Sequence, residues 1–157
     1  FVNAGEWLIL IGDAAHSVLP PTGEGANSGL EDSYLLADHL ASGSATPLAD
    51  FNAARMPDLT ALGEYAWHLM ENVKTTDPAR KATTVALRIL TGLGGLVGIR
   101  GGEVEAKLFG PNSGLTGYRE VIGPWIAERD RIFPRVYRLM RLLPLKGRRR
   151  SPTAAPS

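Results

Sequence analysis

An aspartate that ends an apolar run, and a glycine-spaced turn ahead of a helix, are the residues of this chain whose types and spacing could do chemistry. They fall in LILIGDAAHSVLPPTGEGANSGLEDSYLLADHL, residues 8–40. Asp13, directly after Gly12, can accept hydrogen bonds from a ribose hydroxyl at the carboxyl end of a strand. Gly23 and Gly25 remove side chains, so backbone amides can approach a ligand closely. Ala26 and Asn27 follow at a helix N-terminus, where free N–H groups and the helix dipole favour negative charge. A flat ring that becomes anionic on reduction suits such a place. The plain reading makes Pro-Pro-Thr-Gly a turn and Asp13 a cap, and spacing alone leaves both readings open.

Other chemistries are excluded more easily. The chain has no cysteine, which removes disulfides, thiolate metal sites and cysteine nucleophiles and permits a reducing compartment. Its three histidines, His16, His39 and His68, lack metal-ligand spacing with one another, so no metal site is expected. With 157 residues, 44% hydrophobic and 21% charged, the composition is that of a globular protein.

The net charge of +1 hides an asymmetry. Residues 1–50 hold acids and no Lys or Arg, and Arg55 is the first base. Residues 135–150 carry Arg135, Arg138, Arg141, Lys146, Arg148, Arg149 and Arg150 and no acid. That basic end suits a solvated helix face and tail, with peripheral contact to an anionic membrane surface as the alternative. Nucleic-acid binding is not expected, since no aromatic residues interleave with the arginines in a recognisable motif.

The elements that must position these residues are legible in outline. EWLILIGD reads as a buried strand, and the prolines and glycines of residues 20–25 forbid regular structure after it. A helix is predicted from about Asn27, with Leu30, Tyr34, Ala37 and Leu40 at helical spacing and Gly43 as its stop. Another helical region follows a linker, with Pro57 kinking it or starting its second segment. Asp77-Pro78 opens a third helix to about Leu90. A glycine-rich stretch at 92–102 and a turn-rich one at 108–118 precede a last helical region, interrupted at Gly123-Pro124 and at Pro134. A disordered basic and proline-rich tail is expected over 144–157. The domains read as 1–45, the last segment of a ligand-binding α/β domain; 46–143, a helical region; and the tail. A lone buried strand needs hydrogen-bonding neighbours. Their absence from the sequence implies that the sheet belongs to residues elsewhere.

The string GDAAHSVLPPTGEGANSGLEDSYLLADHL resembles the second flavin motif of the single-component FAD-dependent aromatic hydroxylases, over nearly thirty positions in order. FNAARMPDLTALGEYAWHLMENV is similar to the following region of the kynurenine 3-monooxygenase subfamily, through Phe51, Arg55, Pro57-Asp58 and Ala61. In LTGYREVIGPW, Tyr118 and Glu120 match that subfamily, and Gly117 stands where it has an arginine. The resemblance covers only the C-terminal part of the family's length.

It implies an α/β fragment: one core strand of a flavin-binding Rossmann-like sheet, then a mostly helical C-terminal region, with an N-terminal flavin-binding half missing. It implies FAD as cofactor and NAD(P)H as electron donor. The activity implied is a monooxygenase that hydroxylates an aromatic or other small apolar substrate with O2, through a flavin C4a-hydroperoxide. Asp13 would bind the ribityl or ribose part of FAD, and Pro20 would lie beside the flavin ring. Gly23, Gly25, Ala26 and Asn27 would cradle the pyrimidine end. Tyr118 would contact a substrate carboxylate, while Leu69 and Asn72 occupy the places of the subfamily's Asn-x-x-Glu pair. No side chain is assigned as a proton-transferring catalyst; His16 and Asp32 are expected to be structural, Asp32 by ordering the helix start. The alternative is a catalytically inactive short or split relative acting through association with a partner chain.

Overall fold

The computed structural model describes residues 2, 3, 5, 7–92, 104, 107, 108 and 117–144. Four helices dominate them: α1 (Gly25–Ala41), α2 (Pro47–Lys74), α3 (Pro78–Gly92) and α4 (Tyr118–Leu142). Short 3-10 turns at Gly12–Ala14 and Pro20–Thr22 lead into α1. The glycine-rich stretch from 93, nearly all of the turn-rich segment and the tail from 145 lie outside the described residues.

Local chemistry sets most helix ends. Gly43, at φ +74°, takes the left-handed conformation that closes α1, and the Ser42 hydroxyl donates to the His39 carbonyl at 2.7 Å. Pro47 occupies the first turn of α2, where its missing N–H costs nothing. Asp77 accepts the Ala79 N–H at 2.9 Å, so Asp77-Pro78 supplies a cap and a first-turn proline together.

Packing then overrides local signals. α2 continues through Pro57, which starts no new segment, and α4 runs through Pro124 and Pro134, where interruptions were expected. Each proline removes one backbone donor, and burial along the same helices outweighs the loss. α4 packs on both α2 and α3, and α1 lies on α2. The core joins Ala61, Leu62 and Tyr65 of α2 to Tyr118, Val121 and Ile122 of α4, and Val104 and Leu108 belong to the same cluster. Leu69 and Trp125 pack at its margin.

The predicted core strand is the main departure. Among the described residues no strand ladder forms, and the only β pairing is an isolated antiparallel bridge between Val2 and Ile9. Trp7, Leu8 and Leu10 are exposed. Leu30, Tyr34 and Leu40 of α1, which share a helical stripe, are exposed as well. An extended apolar run needs neighbouring strands before it can be buried, and the described residues offer none. α1 begins at Gly25 rather than Asn27. No helix among the described residues is long and apolar enough to cross a membrane.

His68 lies between α2 and α4, edge-on to Trp125 and Phe133, and its Nε2 accepts from the Asn72 amide at 2.9 Å. Asn72 also accepts from Arg80, so it belongs to this polar cluster. Burial, then Arg129 and Arg80, push the His68 pKa down from 6.5 to about 4, with Glu71 and Asp130 opposing. Between those values the unfolded chain binds a proton that the folded chain refuses. Stability contributed by His68 is therefore present above pH 6.5 and lost as pH falls toward 4. His68→Gln should flatten the rise of unfolding free energy across that window in urea titrations. An unchanged slope would show that other groups carry it.

Candidate functional site

The Gly-Asp turn is clamped onto α1 from beneath. Gly12 sits at φ +56°, where a side chain is strained, and a Cβ on Gly29 would stand 3.4 Å from the Gly12 Cα. This close approach lets the Gly12 N–H donate to Asp32 Oδ2 at 2.8 Å. His16 Nε2 reaches the same oxygen at 2.5 Å. Because an ionised carboxylate only accepts, the His16 proton lies on Nε2. His16 is thus part of the turn's scaffold.

Asp32 does more than order a helix start. It is 1% exposed, and Arg55 of α2, 2% exposed, donates from Nε to its other oxygen at 2.8 Å. Arg55 Nη2 donates to Glu31 at 2.8 Å and to the Ser28 hydroxyl at 3.2 Å. Burial opposes the Asp32 charge, yet the Gly12 amide, His16 and Arg55 together hold its carboxyl below the usual range. Burial likewise opposes the Arg55 charge, and Asp32 and Glu31 reverse the effect and raise its pKa. One carboxylate thus binds the turn, α1 and α2 into a unit.

Above this base lies an open rim. Asp13 is exposed, and its Oδ1 lies 3.8 Å from where a Cβ on Gly25 would be. Gly23 takes φ +68° with nothing within 4 Å of an added Cβ, and it closes the turn that Pro20 begins. Pro20, Gly23, Ala26 and Asn27 are exposed, and no side chain caps the N-terminus of α1. The structure therefore brings Asp13, Pro20, Gly23, Gly25, Ala26 and Asn27 to one region. Such a rim fits a flat ligand with a polar edge: the backbone is bare, the helix amides are uncapped, and a carboxylate is available for hydroxyls.

Tyr118 approaches the same loop from the other side. Its hydroxyl donates to Glu24 Oε2 at 2.9 Å, although the residues are 94 apart in sequence. The Arg55 guanidinium stands over the Tyr118 ring, 5.6 Å from its centroid. Burial, then the Glu24 carboxylate, raise the Tyr118 pKa, so the hydroxyl keeps its proton. That proton is committed to Glu24, and toward any other group the oxygen offers lone pairs. Gly117 leaves space for Asp58: a Cβ there would meet the Asp58 carboxylate at 3.0 Å. Asp58 uses that position to accept the Arg119 N–H at 2.7 Å.

Sequence reasoning passed over Glu24 and the pairing of Arg55. Both left a signal. Glu24 is an acid set between the two glycines of a bare loop, and Arg55 is the first base after an acid-only stretch.

Comparison with known proteins bears on the same segment. A family described as FAD binding domain matches residues 3–46. The chain is 38% identical over 77 residues to a salicylate hydroxylase of Pseudomonas putida, covering 45% of this chain and 18% of that protein. It is 39% identical over 69 residues to a kynurenine 3-monooxygenase of Salinispora tropica, covering 43% and 15%. A kynurenine 3-monooxygenase of Xanthomonas euvesicatoria is 43% identical over 60 residues, covering 37% and 13%. The chain thus spans less than a fifth of the length of these relatives. No solved structure matches. The resemblance to these hydroxylases is one of sequence over a part of each protein, and the FAD binding domain match over residues 3–46 includes the rim just described.

Proposed function

We propose that residues 3–46 are the closing segment of an FAD-binding domain, and that the chain is the C-terminal part of a flavin-dependent monooxygenase acting on an aromatic or other small apolar substrate. One observation carries the reading. The matched segment folds into a bare, uncapped rim, shaped by its own tight turn and seated on the buried Arg55–Asp32 ion pair. Rim residues are thereby free for a ligand. A bound FAD, reduced by NAD(P)H and reacting with O2 to give a C4a-hydroperoxide, would supply the oxygen-transfer chemistry.

The chain's own residues have simpler work in this proposal. Asp13 accepts ribityl or ribose hydroxyls, and Pro20 packs beside the ring. The Gly23–Asn27 backbone receives the pyrimidine end. Tyr118 lies on the substrate side, where its hydroxyl oxygen accepts rather than donates. The domain division at 45/46 is part of the proposal, with Arg55 and Asp32 joining its two sides. Trp7, Leu8, Leu10, Leu30 and Tyr34 are each exposed, and in this proposal the N-terminal half of the flavin domain covers them as one apolar surface. The same surface favours a second reading, in which a short or split relative without activity works by binding a partner that carries that half.

Asp13→Ala in the full-length protein tests the cofactor assignment. Losing hydrogen bonds to a charged acceptor should weaken FAD binding about 10- to 100-fold by fluorescence titration. Unchanged affinity would remove Asp13 from the site. Tight FAD binding by the chain only when mixed with a separate N-terminal half would favour the split reading.

A further inference from the structure

The buried carboxylate of Glu24 has no place in that reading, and its position makes it the residue to explain. It holds the N-cap position of α1, between the two glycines of the rim, and is 6% exposed. Its own N–H donates to the Thr22 hydroxyl at 3.3 Å, and its carboxylate accepts a hydrogen bond from the Tyr118 hydroxyl at 2.9 Å. Among the described residues no cation pairs with it. The nearby guanidinium of Arg55 is bonded to Asp32, Glu31 and Ser28 instead. A carboxylate at the positive end of a helix is held there by the dipole. It also uses the field that another anion at that end would feel.

We propose that Glu24 sets the reduction potential of the flavin at this site, and that Tyr118 is the positioning residue that holds its carboxylate under the rim. The inference rests on the flavin reading and deepens it. Two-electron reduction by a hydride donor leaves negative charge at the pyrimidine end of the ring, the end the Gly23–Asn27 backbone would receive. A fixed negative charge beneath that backbone disfavours the reduced form relative to the oxidised one. Tyr118 affects the potential only through Glu24: its hydrogen bond fixes the carboxylate geometry and partly offsets its charge.

The test is spectroscopic titration of the FAD-loaded, full-length protein with dithionite against a reference dye. Glu24→Gln should raise the ratio of reduced to oxidised FAD affinity about tenfold, which is about 30 mV for a two-electron couple. Glu24→Asp, which keeps the charge, should stay nearer the wild type. Tyr118→Phe should shift the potential in the Glu24 background and leave it unchanged in the Glu24→Gln background, as a double-mutant cycle requires when one residue acts through the other. A purely structural Tyr118 would weaken both redox states alike. If Tyr118→Phe fails to fold, the Glu24→Gln and Glu24→Asp pair still decides. Wild-type protein that binds FAD but shows the same or a lower potential in Glu24→Gln overturns this inference alone. Wild-type protein that binds no FAD overturns the flavin reading and the inference with it.

Discussion

Arg55→Met is expected to lower the stability of the folded chain by about 3–5 kcal/mol, the cost of leaving buried charge unpaired. The guanidinium satisfies Asp32 Oδ1, Glu31, and the hydroxyl and carbonyl of Ser28. Glu31 is partly solvated and can turn to water, whereas Asp32 at 1% exposure cannot. Methionine fills similar volume without replacing any of these bonds, so the loss isolates the charge and its hydrogen bonds from packing. The effect should reach the rim, because Asp32 also carries Gly12 and His16. Thermal unfolding should fall by roughly 10 °C or more for a chain of this size. Adding Asp32→Asn to Arg55→Met should recover part of the loss by removing the orphaned charge. A double variant no more stable than Arg55→Met would mean that the pair is not the source.

Leu62→Ala should cost about 2–5 kcal/mol through lost burial and the cavity it leaves. Leu62 is 0% exposed and lies in the cluster that α2 shares with α4. Its neighbours there, Tyr65, Val121 and Ile122, are anchored on two long helices, which limits collapse around the gap. Tyr118 stands in the same cluster, so a loosened core should also weaken its bond to Glu24. Urea denaturation measures the stability loss, and the midpoint should fall with the slope unchanged. A cost below about 1 kcal/mol would mean that the helices close over the cavity.

The rim was readable in advance because its demands are local. Gly12 and Gly23 hold positive φ that glycine adopts without strain, and the Pro20–Thr22 turn and the start of α1 follow within a few residues. Asp13 precedes Gly25 by a short loop, so their meeting needed no knowledge of the rest of the chain. The stop at Gly43 and the cap at Asp77-Pro78 were readable for the same reason.

The strand expected over EWLILIGD, residues 6–13, shows where local reading ends. Its pattern is that of a strand, yet a strand becomes one only against neighbours, and among the described residues it has a single bridge. Pro57, Pro124 and Pro134 mark the converse case. Each carries a local signal to stop, and each lies inside a helix that packing keeps whole.

By itself, the amino-acid sequence determined the bare loop, its glycines, its helix start and the charge of each residue around it. Only the tertiary structure decided which charges meet. It set Arg55 on Asp32, 23 positions away, and Tyr118 on Glu24, 94 positions away. Backbone preferences act between neighbours in the chain, whereas hydrogen bonds between distant side chains exist only after helices have packed and excluded the water that would otherwise satisfy them.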